Sequence, residues 1–149
     1  MNILIILPIL VLQSIKDIKN NIINGYLNIL LLLIGFIKNI LINENIKDYI
    51  LGLIVIPITL LILNYFKKDS IGDGDIEYLS AIGFYIGYIN IVISLFISTV
   101  LLIIFSLYKK KRKYPFIPFI TIGVIINQLL IAINIISINS SFKWNFSPF

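Results

Sequence analysis

The segment Ile91–Tyr108 reads IVISLFISTVLLIIFSLY, eighteen residues without a single charge. A straight membrane crossing takes about 20 predominantly apolar residues, and this run nearly supplies them. Working outward, Tyr49–Phe66 is a second such run, and about Tyr26–Ile42 and about Phe116–Ile138 are two more. Met1–Ile15 and Ile76–Tyr88 are shorter, and the latter is read as broken by Gly83 and Gly87. Short spans of this kind tilt, extend into neighbouring polar residues, or lie partly buried among other helices.

Bulk composition agrees with the runs. Hydrophobic residues make up 59% of the chain and charged residues 13%, with a mean hydropathy of +1.03. A soluble domain carries about 45–50% apolar and about 25% charged residues. The expected fold class is therefore all-α, a polytopic membrane bundle of about six transmembrane helices, because a helix satisfies its own backbone polar groups in lipid. Met1–Ile15 has no basic start and no small-x-small cleavage site, so it reads as a retained helix. There is no internal repeat and no dividing linker, so residues 1–149 are expected to form a single domain.

Basic residues orient the bundle. Lys16 and Lys19 fall after the first span, Lys67 and Lys68 after the third, and Lys109, Lys110, Lys111, Arg112 and Lys113 after the fifth. Nine of the twelve basic residues thus lie in odd-numbered loops. The positive-inside rule puts those loops in the cytoplasm and both termini outside. Lys109–Lys113 reads as a topology anchor near anionic headgroups, and no nucleic-acid partner is expected. The tail Phe142–Phe149 reads as an interfacial aromatic anchor.

The residue inventory limits the chemistry. There is no cysteine and no histidine, which removes disulfides, thiolate metal sites, thiol nucleophiles and imidazole acid–base catalysis. No metal or cofactor is expected. Seven acids remain: Asp17, Glu44, Asp48, Asp69, Asp73, Asp75 and Glu77. Glu44 and Asp48 lie in the loop on the outer side. Asp17, at the end of the first span, and Ile71-Gly72-Asp73-Gly74-Asp75-Ile76, before the fourth, share the cytoplasmic side.

Two carboxyls on one face can hydrolyse a peptide bond without metal or covalent intermediate. One activates water, the other donates a hydrogen bond to the carbonyl oxygen, and the pair shares a proton because both cannot easily ionise together. Asp17 and Asp75 are the candidate catalytic pair. Gly72, Asp73 and Gly74 are the candidate motif for substrate approach, the glycines offering positive φ and room for a strand. Asp75 falls near a helix N-terminus, which favours its anion, whereas low dielectric favours the neutral acid. The bland reading of Gly-Asp-Gly-Asp is a turn in which the aspartates serve as caps.

These residues resemble the peptidase domain of the type IV prepilin peptidases, GxGD-type membrane aspartyl proteases. Gly72-Asp73-Gly74-Asp75 matches that family's Gly-x-Gly-Asp, and Ala81–Gly87 is similar to its glycine-spaced helix. Asp17 with Ile23-Asn24 resembles the first aspartate and the Ile-Pro-Asn that often follows it. Lys113–Phe119 followed by Gly123 resembles the Pro-Phe-x-Pro-Phe stretch of the last helix. The chain departs from the pattern in lacking the proline after Asp17 and in having Glu77 where many members carry lysine. The resemblance implies a short, peptidase-only form, without the separate cysteine-containing, methyltransferase-type cytoplasmic domain of long members. It also implies removal of a short basic leader from pilin-like precursors at the cytoplasmic face of the plasma membrane. Asp69, Asp73 and Glu77 would attract such a leader.

Other readings stay open. Presenilin-like proteases share Gly-x-Gly-Asp, but their first aspartate follows a tyrosine, whereas Asp17 follows Lys16. A small transporter or channel subunit would use the carboxylates to bind a cation. A non-catalytic secretion-assembly partner would bind precursor and leave it whole.

Overall fold

The computed structural model describes residues 3–42, 46–66, 71–108 and 114–133, and among these all regular secondary structure is helical. A short 3-10 turn at Ile3–Ile5 leads into six helices: α1 (Leu7–Asn20), α2 (Gly25–Ile42), α3 (Ile46–Phe66), α4 (Asp73–Ile86), α5 (Tyr88–Tyr108) and α6 (Ile117–Ala132). Each predicted apolar run maps onto one helix. The tail Phe142–Phe149, the basic run Lys109–Lys113, Lys67, Lys68, Glu44 and Asp69 lie outside the described residues.

Helices α3 and α5, 21 residues each, are long and apolar enough to cross a membrane. At about 1.5 Å per residue each reaches roughly 31 Å. Their isoleucine and leucine side chains, with Phe96, largely face outward. Helix α4 is the opposite case. It is short, and every residue from Tyr78 to Ile86 except Ser80 is buried. A helix buried all round sits at the centre of its bundle, and α4 packs against α2, α3 and α5. Helix α1 packs mainly against α6, and α5 lies along α6 and α3.

Gly83 does not break α4, contrary to the sequence reading. It lies within the helix, its backbone against that of Gly52 in α3, and a Cβ on either would run into the other's carbonyl. Small residues that let two backbones touch are a general device of apolar helix pairs. The true break is Gly87, at φ +90° and ψ 161°. There the Asp48 carboxylate accepts the backbone N–H groups of Tyr88 and Ile89, so Asp48 caps the start of α5.

The α1–α2 turn needs no proline. Asn21 takes the left-handed conformation (φ 50°, ψ 36°), and its N–H donates to the Asp17 carbonyl at 2.9 Å to close α1. Asn24 then opens α2, its Oδ1 accepting the Tyr26 N–H at 3.1 Å.

Candidate active site

Asp17 lies in the last turn of α1 and Asp75 in the first turn of α4, just before the apolar stretch that starts at Ile76. Both line one cavity of about 940 Å³, together with Gly72, Gly74, Asn21 and Ile23. Leu60, Leu79, Leu95 and Leu102 make its apolar wall, and Tyr114, Pro115 and Phe116 close one side. The two aspartates are near enough that the Asp17 charge raises the pKa of Asp75.

The loop before α4 is pinned from behind. Asn64 Nδ2 donates to the Ile71 carbonyl at 2.7 Å, and the Ile71 N–H donates to Asn64 Oδ1 at 2.9 Å. Gly72 is the N-cap of α4 in an extended conformation (φ −71°, ψ 146°), and its carbonyl accepts the Asp75 N–H at 3.0 Å. Gly72 also donates its own N–H to the Asp75 carboxyl. Neither motif glycine uses positive φ; among the described glycines only Gly87 does. Gly74 is needed for closeness instead, since a Cβ there would lie 2.9 Å from Ile23 Cβ. Asp73 is exposed at the start of α4, as is Glu77 one turn on.

The two carboxyls are treated differently. Asp75 is pushed up to about 6, first by burial and second by the Asp17 charge, against the opposing Gly72 hydrogen bond. Burial and the Asp17 charge therefore outweigh the Gly72 hydrogen bond at this position. Asp17 is also raised by burial, opposed by a hydrogen bond from the Ile117 N–H to its Oδ2 at 3.1 Å. That N–H is one of the free donors at the head of α6, whose dipole favours an anion.

Two groups of supporting residues are not singled out by the sequence reading. Gln13, fully buried one turn before Asp17, donates to the Asn24 carbonyl at 2.9 Å and to Asn28 Oδ1 at 2.8 Å. It also accepts the Asn24 N–H at 3.1 Å, and Asn28 donates on to Glu77 Oε2 at 3.5 Å. Gln13 thus ties α1 to the start of α2. Ser14, Tyr78 and Thr121 form the second group, below the carboxyls, whereas Tyr114–Phe116 in the cavity lining belong to the Lys113–Phe119 stretch that the sequence reading quotes. A polar residue inside an otherwise apolar helix is the signal that Gln13 and Thr121 carry in the sequence. Among the described residues, no three acids converge as a metal-ligand set.

A family model described as the type IV leader peptidase family matches residues 4–107, which include Asp17, the glycine motif and Asp75. No curated protein and no solved structure matches the chain.

Proposed function

Since the chain belongs to the type IV leader peptidase family, we propose that it is a membrane aspartyl endopeptidase that removes the short leader of pilin-like precursors at the cytoplasmic face of the plasma membrane. The observation that carries this reading is the convergence of Asp17 and Asp75, from different helices, on one cavity with mutual electrostatic influence. The outward apolar faces of α3 and α5 suit lipid, and the basic residues of the odd loops favour a cytoplasmic site. Residues 1–149 form a single peptidase domain on this reading, which the family match over residues 4–107 supports and which uses no cofactor.

The chemistry follows from the unequal surroundings of the carboxyls. Asp17, facing the Ile117 N–H, is the anion and takes a proton from water as the oxygen adds to the scissile carbonyl carbon. Asp75, whose carboxyl burial and the Asp17 charge push toward the protonated form, donates a hydrogen bond to the carbonyl oxygen and stabilises the charge developing there. On collapse the proton held by Asp17 passes to the departing nitrogen, and the C–N bond breaks. The apolar wall of Leu60, Leu79, Leu95 and Leu102 suits the apolar helix that follows the leader. Exposed Asp73 and Glu77 border the place a basic leader would occupy.

The test is cleavage of a pilin-like precursor by purified protein, followed by mass. Wild type should cut once, and Asp17→Asn and Asp75→Asn should each lose about 10²–10⁴-fold in rate while staying folded. Full activity in either variant would discard the dyad. Ion flux without cleavage would favour a transporter.

A further inference from the structure

Helices α1 and α4 carry the two aspartates, yet they share little direct packing: α1 lies mainly on α6, and α4 on α2 and α3. Something else must set the separation of the carboxyls. Ser14 Oγ and Thr121 Oγ1 lie 2.8 Å apart, and Tyr78 OH and Thr121 Oγ1 lie 3.1 Å apart. Ser14 Oγ also donates to the Leu10 carbonyl at 2.8 Å. Thr121 Oγ1 also donates to the Leu10 carbonyl at 3.5 Å, so Tyr78 donates to Thr121 while Thr121 and Ser14 share one bond and the Leu10 carbonyl takes the remaining proton. Tyr78 is fully buried and Thr121 nearly so, and a buried hydroxyl without a partner costs about 1–3 kcal/mol.

The register of this chain matches the register of the site. Ser14 is three residues before Asp17 on α1, Tyr78 three after Asp75 on α4, and Thr121 four after Ile117 on α6. Residues three or four apart share a helix face and lie about 4.5–6 Å apart along the axis. Each of the three helices therefore presents one residue to the carboxyl level and one to a hydroxyl level a turn deeper. Helix α6 is the common member at both levels, meeting Asp17 through Ile117 and the other two helices through Thr121.

Resting on the aspartyl reading above, we infer that Thr121 is a positioning residue, the centre of a Tyr78–Thr121–Ser14 clamp that holds Asp17 and Asp75 at their working separation. Two carboxyls held close share a proton over a wide pH range, because the first ionisation hinders the second. Loosening the clamp lets them part, brings their two apparent pKa values together and narrows the pH–rate bell. Among the described residues, Lys16 beside Asp17, Asp73 and Glu77 beside Asp75, Tyr78 beneath and Tyr114 in the cavity wall are the other titratable groups around the pair. Thr121→Val changes none of them.

The experiment measures kcat and KM against pH for wild type, Thr121→Val, Thr121→Ser and Tyr78→Phe on one pilin-like precursor, with Asp17→Asn and Asp75→Asn alongside. Thr121→Val should lower kcat about 10–100-fold, since displacements of about 1 Å cost on that scale. KM should move less than twofold, the bell should narrow, and Thr121→Ser should restore both. If Thr121→Val does not fold, Tyr78→Phe decides, since it removes one oxygen and severs only the α4 link. An unchanged bell in a folded variant, with both aspartate variants dead, overturns the clamp and leaves the dyad standing. Activity in either aspartate variant overturns the dyad, and the clamp with it.

Discussion

The backbone N–H of Ile117 donates to the carboxylate of Asp17 at 3.1 Å, across a sequence separation of 100 residues. The first aspartate is thus held by the last described helix. This bond makes the choice of replacement decisive. Asparagine keeps an oxygen for the Ile117 N–H, whereas alanine leaves that buried donor without a partner, at a cost of about 1–3 kcal/mol. Thermal melting in detergent should therefore place Asp17→Asn close to wild type and Asp17→Ala clearly below it, with both inactive. Equal stability of the two would mean that the bond contributes nothing to the fold.

Asp75 sets a pH dependence whose sign can be worked out. Its folded-state pKa is raised from 3.8 to about 6, by burial first and by Asp17 second. The folded protein therefore binds this proton more tightly than the unfolded chain. The associated stability is fully present below about 3.8 and is lost as pH rises through about 6. Asp75→Asn, always neutral, should lack this contribution to the slope of Tm against pH and should melt above wild type at pH 7–8. Lys16, Asp17, Asp73 and Glu77 remain in both proteins, so the difference curve reports Asp75 together with its coupling to Asp17. A difference that does not vary between pH 4 and 7 would contradict the raised value. Activity should fall on the alkaline side of the same pKa, where the donating proton is gone.

Much of this arrangement is legible in the chain, and the illegible part has a physical pattern. The runs that became α2, α3 and α5 are apolar enough to identify themselves, and the basic residues sort Asp17 and Asp75 onto one face without any coordinates. Gly83 was misread because glycine inside a helix costs about 1 kcal/mol relative to alanine. That local penalty says nothing of the neighbouring Gly52 backbone that requires it. The motif glycines were assigned positive φ, the commonest local use of glycine, when Gly74 is set by the approach of Ile23 from the preceding hairpin. Gln13, Thr121 and Ile117 depend on partners from 11 to 111 positions away. Periodicity carries no information about such pairings.

The exposed carboxylates of Asp73 and Glu77 stand on the same helix as Asp75 but outside its cavity wall. Charges at such a rim steer and hold an oppositely charged partner more than they alter chemistry. Asp73→Asn with Glu77→Gln should raise KM for a precursor with a basic leader several-fold and leave kcat within twofold. Raising ionic strength from about 0.05 M to about 0.5 M should reproduce the effect in wild type and have little further effect in the double variant, because exposed charges are screened. A KM unmoved by both treatments would remove these residues from leader recognition.

The contact between Gly52 and Gly83 provides a test of whether the site depends on the seat of α4. Gly83 lies two turns beyond Asp75 on the same helix, and neither Gly83 nor Gly52 lines the cavity. A methyl group at Gly83 meets the Gly52 carbonyl, and backbone cannot move aside as a flexible side chain can. Helix α4 must then shift away from α3, carrying Asp75 with it, at an overpacking cost of about 1–3 kcal/mol. Gly83→Ala should lower both Tm and kcat. Gly25→Ala is the matched control: its added Cβ meets only Glu77 Oε2, at 4.0 Å. That variant should stay within about 0.5 kcal/mol of wild type. Loss of stability with an unchanged kcat per folded molecule in Gly83→Ala would show that the dyad is held locally, by the α6 contacts, and does not depend on how α4 seats against α3.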